Sequence, residues 1–122
     1  MTKPLALVIE DEERLSSIFE ASLDAVGFQV ECILNGYEAY ESLRTRQSIP
    51  DLIVLDLHLP EMSGAELLDY IRGRPPYKNT KVMLVTADQF FGETLRKDAD
   101  LLLLKPVSIV QLQALAKRII RH

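Results

Sequence analysis

Short apolar runs alternate along the chain with stretches in which apolar residues recur at helical spacing. Four of the runs are continuous in hydrophobicity, which is typical of strands covered on both faces, and a fifth alternates in part. Leucine is only a modest strand former, so the last run is assigned from its length and its flanking residues. The five predicted strands are Leu5–Ile9, Phe28–Ile33, Leu52–Leu55, Val82–Val85 and Leu101–Leu104.

Helical periodicity occupies most of the gaps between these runs. Apolar residues recur at helical spacing from Leu15 to Val26, and Gly27 then provides a typical helix end. Asn35 and Gly36 together form a turn signal. The other clear helices are predicted at Tyr37–Arg44, at Ala65–Arg72 and at Ile109–Ile120, the last one capped by Ser108.

Strand and helix therefore alternate five times, which implies a parallel sheet with helices on both faces in a doubly wound α/β fold. No linker or repeat interrupts the pattern, so we predict a single domain over residues 1–122. Helical periodicity is poor between Thr86 and Lys105, and we expect a fourth helix that is short or irregular. The adjacent Phe90 and Phe91 in this stretch are interpreted either as core residues or as an exposed contact patch.

Composition narrows the possible functions. The 122 residues, 48% of them apolar, suit one domain with a sizeable core, and no apolar run approaches the length of a membrane span. The single cysteine, Cys32, permits no internal disulfide and favours the cytoplasm. A net charge of −4 argues against direct nucleic-acid binding. The cations at the chain end, interpreted as complementing a helix C-terminus, are Lys117, Arg118, Arg121 and His122.

Polar side chains follow four of the five predicted strands, at the point where each strand ends. Glu10 and Asp11 follow the first strand, Asp56 the third, Thr86 the fourth and Lys105 the fifth. Ligands of such folds bind at this edge of the sheet. Carboxylates gathered there repel one another, and Mg²⁺, which prefers oxygen ligands and shares them with phosphate, relieves the repulsion. A carboxylate, a hard cation, a lysine and a hydroxyl are the groups that phosphoryl transfer onto Asp56 requires.

Simpler interpretations exist for each of these residues. Glu12 and Glu13 are best explained as the acidic first turn of a helix, but Asp11 follows a buried strand too closely for that explanation. Lys105 stands between a leucine run and a proline, which argues against an ordinary surface lysine. Thr86 taken alone is compatible with an ordinary strand end.

Four segments together carry a resemblance to a known family. Residues 56–64 read Asp-Leu-His-Leu-Pro-Glu-Met-Ser-Gly and resemble the phosphoacceptor segment of the receiver domain of two-component response regulators. Residues 8–12, 85–87 and 104–106 resemble the acidic-pair, threonine and lysine segments of the same family. Each segment is a weak signal alone, but all four occur in order and at fitting spacing. The resemblance covers the whole chain and implies a CheY-like, flavodoxin-like sheet in the order 2-1-3-4-5 with five helices.

The resemblance also implies a cofactor and a partner. Asp56 would accept a phosphoryl group from a histidine kinase or a phosphotransfer domain, with Mg²⁺, or Mn²⁺ in its place, as the metal. Asp11, Asp56 and the backbone carbonyl of His58 would bind the ion directly, and Glu10 would act through a bound water. The domain would catalyse its own phosphorylation and dephosphorylation, without conventional substrate turnover. Its downstream protein partner is not indicated by the sequence.

The remaining roles concern the phosphoryl group and the switch. Lys105 would hold a phosphoryl oxygen, and Thr86 would move towards the phosphoryl group. Ala87 would keep the site accessible, and the Lys105–Pro106 peptide bond would be cis, a form that X-Pro bonds can reach. The motif residues with a structural role would be Pro60, Gly64, Ala87 and Pro106.

Three departures from the family pattern affect the expected switch. Leu102 occupies the position of an aromatic residue whose ring swings inward when the threonine moves, so that part of the switch is missing or replaced. Asp98 and Ala99 replace the usual Gly-Ala pair, and the stretch after Thr86 is shorter by about one helical turn. His58 is interpreted either as a solvent-facing side chain or as a group that controls the water attacking an aspartyl phosphate.

Three other classes of protein remain as alternatives. A haloacid-dehalogenase-type phosphatase needs a second aspartate where His58 stands, and a flavodoxin-like cofactor protein needs a phosphate-binding loop where the chain has four acidic residues, 10–13. The stronger alternative is a pseudo-receiver, in which the pocket persists but the domain acts as a phosphorylation-independent interaction module.

Overall fold

The computed structural model describes residues 3–120, so the predicted terminal cations Arg121 and His122 lie outside the described residues. The strands are β1 Leu5–Ile9, β2 Gln29–Ile33, β3 Leu52–Asp56, β4 Lys81–Thr86 and β5 Leu101–Leu104. The helices are α1 Glu13–Ala25, α2 Gly36–Thr45, α3 Gly64–Arg72, α4 Gln89–Leu95 and α5 Ile109–Ile120. Two short 3₁₀ helices, Pro75–Tyr77 and Arg96–Asp98, precede β4 and β5.

The five strands form one parallel sheet in the order β2-β1-β3-β4-β5, as predicted. The predicted α/β class and the five helices are confirmed as well. β3 lies at the centre of the sheet and is buried at every position. The sheet separates two cores. One packs β-strand side chains such as Leu55 against α2 and α3, and the other packs side chains such as Val54 against α1 and α5.

Local sequence signals explain where most helices begin and end. Gly27 follows α1 with φ of +107°, a conformation that a side chain disfavours. Ser63 and Glu66 form a capping box at the start of α3. Ser108 caps α5 as predicted, accepting a hydrogen bond of 3.1 Å from the Gln111 amide. Asn35, expected to form a turn, instead caps α2 through the Glu38 amide, so the helix begins one residue earlier than predicted.

The fourth helix is short, as predicted. α4 has seven residues and passes directly into the 3₁₀ helix Arg96–Asp98. Its two adjacent phenylalanines have different surroundings: Phe90 is 87% exposed, while Phe91 packs against the core. Successive helical residues point about 100° apart, so one of them faces the sheet and the other faces solvent. Within residues 3–120, no helix combines the length and the apolar character needed to cross a bilayer.

Candidate phosphoacceptor site

The register of the parallel sheet brings the predicted site residues to one edge. Ile9 pairs with Leu55 in the neighbouring strand, so Glu10 and Asp56, which follow them, emerge side by side. Thr86 pairs with Leu104 between β4 and β5, which places Lys105 at the same edge. The sequence prediction that these strand ends converge is therefore met by the geometry of the sheet.

Three carboxylates converge at this edge. Glu10, Asp11 and Asp56 each offer an oxygen, and these oxygens lie within 4.8 Å of one another. Glu10 and Asp56 are 1% and 3% exposed, whereas Asp11 is open to solvent. Two buried carboxylates beside an accessible third form a site that a small divalent cation can reach from water.

Glu10 is incompletely satisfied by protein groups. Its Oε2 accepts a hydrogen bond of 3.1 Å from the Glu12 amide, but its buried Oε1 has no hydrogen-bond donor. Burial, and then the negative charge of Asp56, raise the pKa of Glu10 from its ordinary 4.5 to about 7. Glu10 Oε1 receives no hydrogen bond of ordinary geometry and lies near the carboxylate oxygens of Asp11 and Asp56, and oxygen ligands of this kind, together with retained water, are those that Mg²⁺ prefers.

Lys105 supplies a positive charge that contacts both Asp56 and Glu10. Its Nζ lies 3.4 Å from Asp56 Oδ2 and 3.1 Å from Glu10 Oε1, the second contact being an ion pair without hydrogen-bond geometry. Burial lowers the pKa of Lys105, but the charges of Asp56 and Glu10 outweigh that effect and raise it. Lys105 therefore remains a cation beside the Asp56 carboxylate.

The loop after Asp56 is fixed by backbone contacts. The His58 amide donates to Asp56 Oδ1 over 3.1 Å, which orients the carboxylate. The Gly64 amide donates to the Leu57 carbonyl over 3.1 Å. A Cβ on Gly64 would lie 2.3 Å from the Asp56 carbonyl oxygen, so only glycine lets α3 begin this close to the end of β3.

Two further contacts hold the tip of the same loop. The Gly36 amide donates to the Pro60 carbonyl over 3.1 Å, which ties the loop to the start of α2. Glu61 adopts φ of +74°, the left-handed conformation, at the turn itself. The Lys105–Pro106 peptide bond is cis, as the resemblance implied.

Thr86 is fully buried, and its hydroxyl already has a partner within the protein. Oγ1 accepts a hydrogen bond of 3.0 Å from the Asp88 amide. Ala87, between them, is exposed at the mouth of the site. Leu102 does not reach the site edge; it is half-buried and packs on the core beneath α4. The structure therefore gathers the carboxylates and Lys105 and leaves Leu102 apart.

Sequence reasoning missed Asp88, which connects the site loop to α4. Its Oδ2 lies 3.9 Å from His58 Nε2, and its Oδ1 accepts from the Phe91 amide and so caps α4. The rings of His58 and Phe91 are 5.9 Å apart. The His58 side chain is 59% exposed, which agrees with a solvent-facing interpretation but also brings it to α4. The signal was present, because an aspartate three residues before Phe91 is a typical N-cap.

Sheet order and site chemistry together are those of a receiver domain. Residues 6–117 match the family model of the response regulator receiver domain, and the chain belongs to this family. This match confirms the family resemblance found in the sequence. Receiver domains serve phosphoacceptor signalling in two-component systems.

The chain is similar both to a regulator about twice its length and to one of similar length. It is 38% identical to the phosphate regulon transcriptional regulatory protein PhoB of Rhizobium meliloti over 98% of this chain and 53% of that protein. It is 30% identical to the polar-differentiation response regulator DivK of Brucella anthropi over 84% of this chain and 85% of that protein. The chain spans about half the length of the first of these and most of the second.

A solved structure agrees with the fold. The CheY-like response regulator receiver domain from Methylobacillus flagellatus superposes with a TM-score of 0.84 at 28% identity, covering 97% of this chain and 99% of that one.

Proposed function

We propose that Asp56 accepts a phosphoryl group from a histidine kinase or a phosphotransfer domain, in a reaction that depends on Mg²⁺ or Mn²⁺, and that this event switches partner binding. One observation carries the proposal: the buried Asp56 carboxylate lies 3.4 Å from the Lys105 cation and within 4.8 Å of carboxylate oxygens of Glu10 and Asp11. Asp56 therefore has beside it both a positive group and a cluster suited to a hard cation.

The chemistry follows from these positions. An Asp56 oxygen attacks phosphorus, a new P–O bond forms, and the P–N bond to the donor imidazole breaks, with the imidazole leaving as the neutral base after protonation. Lys105 neutralises charge on a phosphoryl oxygen, since its ammonium already lies beside Oδ2. Asp11, Asp56, Glu10 and the His58 carbonyl would hold a Mg²⁺ ion, which when bound would neutralise charge on the phosphoryl oxygens. Water later hydrolyses the acyl phosphate and restores Asp56.

We propose that Thr86 responds to the phosphoryl group on Asp56. Thr86 is buried one residue beyond Val85, the β4 partner of Asp56, and its side chain carries a neutral hydroxyl donor. The hydroxyl accepts from the Asp88 amide over 3.0 Å, and a movement of the Thr86 side chain towards a phosphoryl oxygen would exchange this bond for a new one. We propose that this exchange is the first step of the switch, and that the output is a protein contact rather than nucleic-acid binding by this domain.

Residues 1–122 are taken as one receiver domain acting in the cytoplasm. The free thiol of Cys32 is compatible with a reducing compartment. Because the chain spans about half the length of PhoB, the output partner could lie in a further domain or in a separate protein. The phosphorylation reaction itself is the same in either case.

The test is phosphorylation of the whole 122-residue chain by a small phosphodonor with Mg²⁺, followed by intact-mass measurement. We expect the mass of one phosphoryl group, lost in Asp56→Asn and absent when the metal is chelated. Asp51→Asn is the matched control, because Asp51 lies at the opposite end of β3 and accepts from the Leu5 amide. Unmodified protein under these conditions, with no response to beryllofluoride, would contradict the proposal.

The pseudo-receiver remains the second candidate, and a specific observation favours it. Leu102 lacks the ring that the family uses in its switch, and α4 has only seven residues. A pseudo-receiver would bind its partner equally well as wild type and as Asp56→Asn. Partner binding that depends on beryllofluoride in the wild type alone would exclude it.

A further inference from the structure

α4 packs against the site through a glycine. Gly92 is the buried residue of α4, and its position leaves no space for a side chain. A Cβ there would lie 2.9 Å from Thr86 Cγ2 and 3.0 Å from Leu102 Cδ1. The backbone of α4 therefore rests directly on the methyl group of Thr86 and on the end of the leucine that replaces the usual aromatic residue.

Thr86 contacts α4 itself and the residue that caps it. Its hydroxyl accepts from the Asp88 amide over 3.0 Å, and its methyl faces Gly92. Asp88 and Gly92 belong to the same turn, because the Gly92 amide donates to the Asp88 carbonyl over 2.9 Å. The hydroxyl and the methyl share one Cβ, and rotation about χ1 of a β-branched residue moves both together. Thr86 cannot turn its hydroxyl away while its methyl stays where it is.

We propose that Gly92 is a positioning residue that sets the resting place of the Thr86 side chain. This inference rests on the proposed function, since it assumes that a phosphoryl group on Asp56 attracts the Thr86 hydroxyl. When the hydroxyl leaves, α4 loses the acceptor of its N-cap amide and the methyl beneath Gly92 at the same time.

Leu102 lies on the other side of the same contact but constrains it less. Its Cδ1 is the far end of a flexible side chain, which can turn away from an added Cβ more easily than the short, β-branched Thr86 side chain can.

Gly92→Ala tests the contact, because the contact predicts the direction in which beryllofluoride affinity should change. The added methyl crowds Thr86 in its resting position, and the crowding is relieved when Thr86 moves towards Asp56. A change that disfavours the resting state tightens any ligand that binds the other state. Beryllofluoride, which mimics the phosphoryl group on Asp56, is therefore expected to bind Gly92→Ala about threefold or more tightly. Mg²⁺ alone should bind within about twofold of the wild type, which a merely structural defect would not spare.

Thr86→Ser identifies the methyl as the carrier of the effect. Serine keeps the hydroxyl but removes Cγ2, so Gly92→Ala should change beryllofluoride affinity by less than about 1.5-fold in the Thr86→Ser background. Gly73→Ala is the matched control for the glycine-to-alanine change, because its Cβ would meet nothing closer than 3.4 Å. It should leave the affinity unchanged.

The experiment measures beryllofluoride affinity, with Mg²⁺ present, for the wild type, Gly92→Ala, Thr86→Ser, the double variant and the Gly73→Ala control. Equal affinities of wild type and Gly92→Ala, or the same change in both Thr86 backgrounds, would overturn the inference while leaving the proposed function intact. Failure of the wild type to bind beryllofluoride would overturn both. If Gly92→Ala does not fold, amide exchange in the wild type decides: beryllofluoride should speed exchange of the Asp88 amide about tenfold, and unchanged exchange would contradict the inference.

Discussion

Lys105 Nζ lies 3.4 Å from Asp56 Oδ2, so the residue that follows β5 neutralises the carboxylate that ends β3. β4 stands between these two strands, and the contact forms because the lysine side chain reaches across that strand end. The long, flexible Lys105 side chain and the short Asp56 carboxylate are thus already paired in the absence of a phosphoryl group. We therefore expect Lys105 to compete with a metal ion for the same carboxylates and to cooperate with it once a phosphoryl group is present.

Lys105→Met is therefore expected to have opposite effects on two ligands. Removing a positive charge from beside the carboxylates should tighten Mg²⁺ binding about threefold or more. Beryllofluoride should bind about tenfold or more weakly, because it loses a charged partner. Titration calorimetry of both ligands checks this prediction, with Lys78→Met as control, since Lys78 is exposed beyond the far end of β4. Weaker binding of both ligands would show that Lys105 mainly holds the site together.

Glu10 should make the metal-free protein sensitive to pH. Folding raises its pKa from 4.5 to about 7, so between these values the folded protein keeps a proton that the unfolded chain has released. The free energy of unfolding therefore falls as pH rises through this window and levels off above it. We expect Glu10 to contribute about 2 kcal/mol to this fall.

Chemical denaturation with a chelator present, at pH 5 and pH 8, measures the Glu10 contribution. Glu10→Gln should lose that part of the pH dependence, and the difference between the two proteins removes the contribution of other groups. Saturating Mg²⁺ should also reduce the fall, because the ion favours the charged carboxylate. Identical pH profiles for wild type and Glu10→Gln would refute the prediction.

The location of the site was predictable because it depends on only two regularities. Apolar runs such as Leu52–Leu55 must be buried, and in a parallel sheet the residues that follow them share one edge. Glu10, Asp56 and Lys105 were placed by this reasoning alone, and the sheet bears out their convergence. Their chemical roles rest on the family and on the experiments proposed above.

The path of the chain after Thr86 was not predictable in the same way. α4 is too short to show a clear period, and a glycine and two adjacent phenylalanines give no preferred face. The contact of Asp88 with His58 and the packing of Gly92 on Thr86 depend on where this short helix lies. That position is decided by tertiary packing against β4 and β5, which the sequence pattern does not encode locally.

Asp88 should stabilise α4 chiefly as its N-cap. Asp88→Ala removes the acceptor of the Phe91 amide and should lower the free energy of unfolding by about 1 kcal/mol. Asp88→Asn keeps a good cap and removes only the charge that faces His58 across 3.9 Å, so its stability should stay within about 0.5 kcal/mol of the wild type. Urea denaturation of the three proteins checks this order. A loss in Asp88→Asn as large as in Asp88→Ala would assign the stability to the charge.

Gly36 should tolerate no side chain, although it begins a helix. Alanine favours helices over glycine by up to about 1 kcal/mol, so propensity alone predicts that Gly36→Ala is stabilising. A Cβ at this position would lie 1.7 Å from the Met62 carbonyl oxygen and 2.6 Å from its carbon, and backbone atoms cannot rotate out of the way. The start of α2 must therefore separate from the loop after Asp56 and lose the hydrogen bond to Pro60.

We expect Gly36→Ala to lower the free energy of unfolding by about 3 kcal/mol. Mg²⁺ should also bind more weakly to the folded fraction, because the same loop carries the His58 carbonyl. Gly73→Ala is the matched control: its Cβ would lie 3.4 Å from the Asp69 carbonyl oxygen at φ of −87°, and its stability should change by less than about 0.5 kcal/mol. A neutral or stabilising Gly36→Ala, measured by urea denaturation beside this control, would mean that the loop and α2 move apart freely and that their contact does not position the site.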